Sequence, residues 1–299
     1  MFSKNKIIII VVLKFVLSLY ISKISLKTKI CICTLGKNEN KYIREFVIFY
    51  KKIGVDKIYI YDNNNINGER FDYSIKDYIQ IGFVQVINWR GKKLPQLKIM
   101  NNCYQKYYKK YDWFIFYDID EYIHLKDYSN IKYFLNEKKF YKCQLIYLNL
   151  LPHTDNNKLY YENRSLFERF PELVPKNKPE GQLLEIKFIL KGHIKKVRIK
   201  SQHYCNNKLK NCNGFGKTNT NRRIYTREPD YKYYYIDHFY SKSTEELIEK
   251  INKGDCRFKN SMIMNKIERY FNQSSHNKEK INLIEKRLGV NLSKYKSIQ

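Results

Sequence analysis

The sequence predicts an α/β protein with a mostly parallel central sheet, flanking helices and a helical C-terminal tail. Three observations lead to this prediction. Strand-like and helix-like segments alternate four times over about 90 residues, which is typical of parallel strands joined by helical crossovers. Residues 111–117 form an aromatic and β-branched run with the composition of a buried strand. Residues 259–288 carry apolar side chains at helical spacing.

The predicted elements begin after a basic link at residues 23–29. A first strand at 29–35 is followed by a helix at 40–52, which ends before Gly54, the residue type expected just beyond a helix. The other predicted elements are strands at 55–61 and 83–89, helices at 73–81 and 95–110, β-like runs at 184–190 and 195–199, and tail helices at 244–253 and 259–288. No GxGxxG motif or P-loop follows the first strand, so neither a dinucleotide-binding fold nor a P-loop kinase is indicated.

The strand at 111–117 runs into three carboxylates in four positions, Asp118, Asp120 and Glu121. Clustered carboxylates resist joint ionisation unless something neutralises them. Side chains alternate along an extended chain, so Asp118 and Asp120 would share one face of the strand. Hard oxygen ligands of this kind suit Mg²⁺ or Mn²⁺ bound together with substrate phosphates. We therefore expect a metal-diphosphate site at the carboxyl end of the sheet, with a solvated turn as the alternative.

The charge of the chain does not indicate a nucleic-acid partner. The 299 residues include 57 Lys and Arg against 29 Asp and Glu, which gives a net charge of +28. Lysine supplies most of the basic residues, and alanine is absent from the sequence, which is the composition expected of an AT-rich coding sequence. The lysines are scattered and no nucleic-acid-binding motif is present, so we expect no nucleic-acid partner.

The N-terminal segment, residues 1–28, contains an apolar run at residues 7–21 that Lys14 interrupts. This run is short of the roughly 20 residues that span a bilayer. We expect a signal anchor of a single-pass type II membrane protein. A membrane-surface helix or an extension packed on a cytoplasmic domain are the alternatives.

The seven cysteines include no CxxC pair. Cys31 and Cys33 lie in the first strand and are expected in the core. Cys205 and Cys212, with His203 nearby, fit a small disulfide loop, a weak zinc site or, as the most ordinary expectation, unpaired thiols.

The motifs resemble those of GT-A glycosyltransferases of family 92 and related family-2-like proteins. The resemblance covers most of residues 29–257. It is carried by Gln96, by Glu246 and by these blocks in the family's order: residues 33–39, 43–46, 54–63, 118–122, 153–156, 164–170, 237–243 and 250–254. Phe239 stands where the family usually has Tyr, and the pair at 153–154 stands where bacterial relatives have an aromatic residue and Gly.

The resemblance implies a GT-A fold and a donor site for a nucleotide-diphosphate sugar with Mn²⁺ or Mg²⁺. Asp120 would bind the metal directly, Asp118 would contact the ribose or a metal-bound water, and His238 would reach the same metal. The nucleotide-sugar ligands would be Thr34, Lys37, Asn38, Glu39, Asp62, Gln96, Asp118 and Lys242.

Family members also imply inversion, which needs a general base for the acceptor hydroxyl. Asp155 is the first candidate because it follows the sheet segment next in line after the metal site. Glu180 and Glu168 are alternatives, and Glu168 next to Arg169 also fits a structural ion pair.

Together with this resemblance, these observations predict a metal-dependent glycosyltransferase that moves a hexose from a nucleotide-diphosphate sugar to a glycan hydroxyl. The expected donor is a UDP-sugar, and the family suggests galactose as the hexose. The transferase domain would cover residues 29–257 and a helical tail residues 258–299. A non-catalytic carbohydrate- or membrane-associated binding protein and a metal-dependent phosphodiesterase or nucleotidyltransferase are the alternatives.

Overall fold

The computed structural model describes residues 27–92, 96–174, 184–205, 208–218, 225–226, 231–252 and 262–296. Ten strands in those residues form one sheet: β1 (Ile30–Gly36), β2 (Lys57–Asp62), β3 (Val84–Asn88), β4 (Trp113–Ile115), β5 (Glu121–Leu125), β6 (Leu145–Pro152), β7 (Leu184–Lys191), β8 (Asn211–Asn213), β9 (Tyr225–Thr226) and β10 (Tyr234–His238). The helices are α1 (Asn40–Lys52), α2 (Phe71–Ser74), α3 (Lys76–Gln80), α4 (Gln96–Tyr107), α5 (Ile131–Leu135), α6 (Leu166–Arg169), α7 (Thr244–Asn252), α8 (Met262–Phe271), α9 (Lys278–Leu288) and α10 (Ser293–Lys296), with a 3₁₀ turn at Lys138–Phe140.

The first half of the sheet is parallel. β1 pairs with β2 and β4, and β2 pairs with β3, all in parallel register. The last residues of three neighbouring strands, Gly36, Asp62 and Asn88, lie side by side. Open α/β sheets bind ligands at this carboxyl edge. The predicted fold class, α/β with a mostly parallel central sheet, flanking helices and a helical C-terminal tail, is confirmed.

The second half of the sheet is mixed, in the order β4-β7-β6-β10-β5. β7 runs antiparallel to β4, with Ile189 opposite Ile115, the last residue of β4. The residues of β7 that precede Ile189 therefore extend beyond the end of β4, toward the carboxyl edge. β10 is parallel to β6 and brings His238 to the same region.

The apolar residues of the sheet alternate between two core clusters, one on each face. Ile189 belongs to the cluster that α1 covers, while its neighbours Phe188 and Leu190 belong to the cluster on the opposite face. A third cluster joins α7, α8, α9 and α10 to one another. The predicted face of α1 is confirmed, because its members are buried: Ile43, Phe46, Val47 and Tyr50.

Several predicted elements differ from the observed ones. The helix predicted at 73–81 is two short helices, α2 and α3, because the backbone leaves the helical region at Ile75. The run at 195–199 contains no strand, and the strand predicted to reach Asp118 ends at Ile115. Pro95, expected to start a helix, lies outside the described residues.

The cysteine pairing also differs from the expectation. Cys143 is bonded to Cys212 and Cys33 to Cys103, while Cys31 and Cys205 are free and buried. The expectation of unpaired thiols is therefore confirmed for Cys205 and wrong for Cys212, which pairs with a residue 69 positions earlier in the chain. The alternative of a disulfide loop between Cys205 and Cys212 is wrong as well.

The described part of the chain contains no helix with the length and apolar character that crossing a bilayer requires. The anchor predicted at residues 7–21 lies outside that part.

Candidate active site

The acidic motif forms a turn and not the end of a strand. β4 stops at Ile115, and the chain then turns so that the Glu121 N–H donates to the Asp118 carbonyl oxygen at 3.1 Å. β5 begins at Glu121. The expectation that Asp118 and Asp120 share one strand face is therefore wrong. The turn sends the two carboxylates to different partners.

Lys187 neutralises two of the three acids. Its Nζ lies 2.8 Å from Asp118 Oδ2 and 3.0 Å from Glu121 Oε1. Burial by itself would lower the pKa of Lys187, whose side chain is 1% exposed, but the two carboxylates raise that pKa above its usual range. Burial also raises the pKa of Glu121, and the Lys187 ammonium offsets part of this increase. Asp118 and Glu121 are thus held by a buried ammonium, and Asp118 alone of the two is exposed to solvent (38%).

Asp120 has a separate set of partners. Lys242 Nζ lies 2.9 Å and Lys250 Nζ 3.7 Å from Asp120 Oδ2. His238 Nε2, at the end of β10, lies 3.9 Å from Asp120 Oδ1. Burial would raise the pKa of Asp120, but the ammonium groups of Lys242 and Lys250 lower it well below its usual range. Asp120 is therefore an ionised carboxylate.

Asp120 and His238 fit a shared cation. Their facing atoms are 3.9 Å apart, a separation that two ligands at about 2.1 Å from one ion can span. Burial lowers the pKa of His238, so its imidazole is in the neutral, metal-binding form. Among the described residues, no group of three or more His, Cys, Asp or Glu side chains is arranged to hold a metal by itself. The pair therefore suits a cation that takes its other ligands from a bound phosphate.

A cavity of about 430 Å³ opens in front of these acids, at the carboxyl edge of the sheet. Six of the predicted site residues line it: Lys37, Glu39, Gln96, Asp118, Asp120 and His238. Gln96 Nε2, in the first turn of α4, donates to Asp118 Oδ1 at 3.3 Å. Lys242 reaches the site through Asp120.

Three other predicted ligands do not line the cavity. The Thr34 hydroxyl is buried in β1 and has no hydrogen-bond partner among the described residues. Asn38 has a positive φ of 53° and donates its backbone N–H to Asn64 Oδ1. Asp62 binds Arg90 at 3.1 Å and accepts the Asn64 N–H at 2.9 Å. These contacts shape the loop after β2.

Asp155, the first candidate for the general base, does not line the cavity. Its Oδ2 lies 2.6 Å from Lys280 Nζ and 2.5 Å from the Tyr270 hydroxyl, and both partners are fully buried. The geometry assigns Asp155 to the packing of the tail helices, which corrects the expectation. Glu168 caps α6 in a capping box with Ser165, and Glu180 lies outside the described residues.

The cavity also contains side chains that were not predicted as site residues. These are Glu185, Lys187, His203, Tyr240, Lys250 and Arg269. β7 carried a signal, because Glu185 and Lys187 alternate with apolar residues and share one face of a strand. A lysine inside so apolar a strand requires a buried carboxylate partner.

Residues 27–288 match the family model for glycosyltransferase family 92. A family 92 protein of rice, Oryza sativa subsp. japonica, is 29% identical over 94 residues, which are 31% of this chain and 16% of that protein. A family 92 protein of Arabidopsis thaliana is 26% identical over 104 residues, 33% of this chain and 17% of that protein. The chain thus matches less than a fifth of the length of these plant proteins.

Two solved structures show a distant likeness. TarS residues 1–349 from S. aureus, in complex with UDP, has a TM-score of 0.35 at 13% identity and covers 82% of this chain and 72% of its own. The mannosyltransferase PcManGT from Pyrobaculum calidifontis, in complex with GDP-Man and Mn²⁺, has a TM-score of 0.32 at 9% identity and covers 44% of this chain and 41% of its own. These TM-scores are too low to carry an argument. Because the family model spans most of the sequence, this chain belongs to glycosyltransferase family 92.

Proposed function

We propose that this protein is a metal-dependent glycosyltransferase that moves a hexose from a nucleotide-diphosphate sugar to a glycan hydroxyl, with inversion at the anomeric carbon. The observation that carries the proposal is the acidic turn at the carboxyl edge of the sheet, where Asp120 and His238 face each other at 3.9 Å beside an open cavity. Membership of family 92 supports the reaction class.

Asp120 and His238 are the residues that would hold Mn²⁺ or Mg²⁺. When bound, the cation would neutralise charge that builds up on the departing nucleotide diphosphate. Lys242 and Lys250 place two ammonium groups beside Asp120, at 2.9 and 3.7 Å. On binding of the diphosphate, these two lysines are positioned to pair with its oxygens.

The nucleoside would lie toward β1. Lys37 and Glu39 follow the end of that strand and line the cavity. Asp118 lines the same cavity and is the most exposed carboxylate of the acidic turn. We assign to Asp118 the contact with the ribose, and to the loop that follows Asp62 the contact with the base. We assign Thr34 and Asn38 to positioning this wall, since the Thr34 side chain is buried and the Asn38 backbone N–H is bonded to Asn64. The donor to test first is UDP-galactose.

We also propose that residues 7–21 are the segment that associates with a membrane.

The donor site is tested by calorimetric titration of UDP into the full chain, with and without Mn²⁺. We expect binding that requires the metal, and a loss of at least tenfold in affinity in Asp120→Asn. The matched control is Asp127→Asn, which removes an exposed carboxylate seven residues away and should bind like the wild type. Metal-independent binding, or equal binding by both variants, would contradict the assignment of Asp120.

The reaction is tested by the product released from UDP-galactose and other UDP-sugars in the presence of methyl hexosides. A transferase releases UDP, whereas a phosphodiesterase releases UMP. Well-folded protein that binds UDP with the metal but releases neither product from any donor would indicate a binding protein. Protein that binds no nucleotide would contradict the proposed donor site altogether.

A further inference from the structure

Glu185 lines the cavity beside the acidic turn. It precedes Lys187 by two residues in β7, so both side chains emerge from the same face of the sheet. Their Cα atoms are separated by about 6.7 Å of extended strand. Since β7 extends past the end of β4 here, Glu185 lies farther out along the carboxyl edge than Lys187 and the acids that Lys187 binds.

Glu185 is held in a fixed orientation by the tail. Arg269 of α8 donates to Glu185 Oε2 at 2.7 Å. The Arg269 guanidinium also packs on the Tyr240 ring, 4.2 Å from its centre, and Lys250 Nζ lies 3.9 Å from the same centre. Glu185 remains 28% exposed toward the cavity. Among the described residues, its other oxygen, Oε1, accepts no hydrogen bond and is open to a ligand.

The other carboxylates that line the cavity have different positions or partners. Asp118 and Glu121 are bound to Lys187, and Asp120 to Lys242. Glu39 follows the end of β1, on the side assigned to the nucleoside. Among the described residues, Glu185 is thus the cavity carboxylate that belongs neither to the acidic turn, with its Asp120–His238 pair, nor to the side of the cavity assigned to the nucleoside.

His203 is the competing group. Its Nδ1 lies 2.7 Å from the Ile186 carbonyl oxygen, to which it must donate, so its Nε2 carries the lone pair. The Gln202 amide nitrogen lies 2.9 Å from that Nε2 and donates to it. The lone pair that could accept a proton is therefore already engaged, whereas Oε1 of Glu185 is open.

We infer that Glu185 is the general base that takes the proton of the acceptor hydroxyl, an inference that rests on the proposed glycosyl transfer. The acceptor oxygen forms its bond to the anomeric carbon while the bond from that carbon to the phosphate oxygen breaks. The electron pair of the broken bond leaves with the nucleotide diphosphate, and the hydroxyl proton passes to Glu185. Arg269 is a positioning residue, since it acts through Glu185.

The test compares Glu185→Gln with Glu268→Gln, which makes the same change at an exposed position next to Arg269. The readouts are UDP release from UDP-galactose with methyl hexosides as acceptors, and calorimetric affinity for UDP with Mn²⁺. We expect Glu185→Gln to lower turnover by about 10²- to 10⁴-fold with UDP affinity unchanged within twofold. Glu268→Gln should match the wild type in both.

Two further variants keep the result decisive. Glu185→Asp retains a carboxylate and should preserve more activity than Glu185→Gln. Since a carboxylate also keeps the ion pair with Arg269, the Tm of Glu185→Gln is measured as well, and an unchanged Tm separates loss of the base from loss of that pair. His203→Gln should retain most of the turnover. If His203→Gln abolishes turnover while Glu185→Gln keeps more than a tenth of it, the base is His203 and the inference is overturned. Wild-type protein that releases no UDP overturns the proposed function, and the role of Glu185 with it.

Discussion

The buried ion pair between Arg169 and Glu246 gives the sharpest test of the packing around the site. Arg169 Nη1 and Nη2 donate to the two oxygens of Glu246 at 2.8 and 3.1 Å. The same carboxylate accepts the Tyr42 hydroxyl at 2.5 Å and the Ser243 hydroxyl at 2.6 Å. Both charged side chains are 2% exposed. The pair therefore joins α1, α6 and the start of α7, next to Lys242 and the cation site.

Glu246→Gln removes the negative charge and leaves the Arg169 guanidinium buried without a counter-ion. Breaking one side of a buried pair costs about 3 to 5 kcal/mol. At roughly 3 °C per kcal/mol for a domain of this size, Tm should fall by about 12 °C. Thermal unfolding followed by circular dichroism, and urea midpoints, measure this change.

Glu249→Gln is the matched control on the same helix. Glu249 pairs with Lys41 at 2.7 Å, but its side chain is 49% exposed. Exposed pairs contribute about 0.2 to 1 kcal/mol, so this variant should unfold within about 3 °C of the wild type. Equal Tm values for the two variants would refute the reasoning, because they would mean that burial does not decide the cost.

The same pair predicts a pH dependence. Burial would raise the pKa of Glu246, but Arg169, Ser243 and Tyr42 more than offset this, and the net pKa is lowered. A carboxyl with a lowered folded-state pKa stabilises the protein above its unfolded-state pKa, and this contribution is lost as the pH falls through the folded-state pKa. The difference between wild type and Glu246→Gln should therefore shrink in acid. A difference that grows below pH 4 would contradict the assignment.

Three further predictions concern other parts of the molecule. The double variant Cys33→Ser, Cys103→Ser should lose about 4 kcal/mol in urea unfolding, because the bond closes a separation of 70 residues, and an unchanged midpoint would count against the bond. Arg90→Lys should weaken UDP binding by about tenfold in calorimetry, since a lysine cannot replace donations to four loop carbonyls, and wild-type affinity would argue against that role. Asp155→Asn should lower the free energy of unfolding by about 3 kcal/mol, because Lys280 is buried beside it, while UDP release by the folded protein stays unchanged. Lost turnover with an unchanged Tm would restore Asp155 as a candidate for the general base.

The sheet and its helical crossovers could be predicted because each depends on a local pattern. The apolar stripe of α1 and the glycine at position 54 define a helix without reference to the rest of the chain. β1 and β2 are continuous apolar runs, as expected of strands buried on both faces. The order of the later strands depends on long-range pairing, such as β7 beside β4, which no local pattern indicates.

At the acidic turn, the local pattern predicted the strand but not the turn that follows it. Composition correctly identified a buried aromatic strand, but β4 covers only Trp113–Ile115, and the three residues after Ile115 are neither strand nor helix. Periodicity cannot distinguish an extended continuation from a turn when every residue is buried. Because the chain turns here, Asp118 and Asp120 point to different partners, Lys187 and Lys242, and do not share one strand face.

The part of the cavity formed by Glu185 and Arg269 could not be predicted from local patterns, for a different reason. Arg269 looks like an exposed charge on an amphipathic helix, and its role depends on α8 packing so that it meets Glu185 across 84 positions of sequence. Such a pair has no spacing that a motif could record. The one local sign was in β7, where Glu185 and Lys187 interrupt an apolar strand at a period of two. Since a buried charge requires a partner of opposite sign, those two residues indicate a site even before the partners, Asp118 and Arg269, are known.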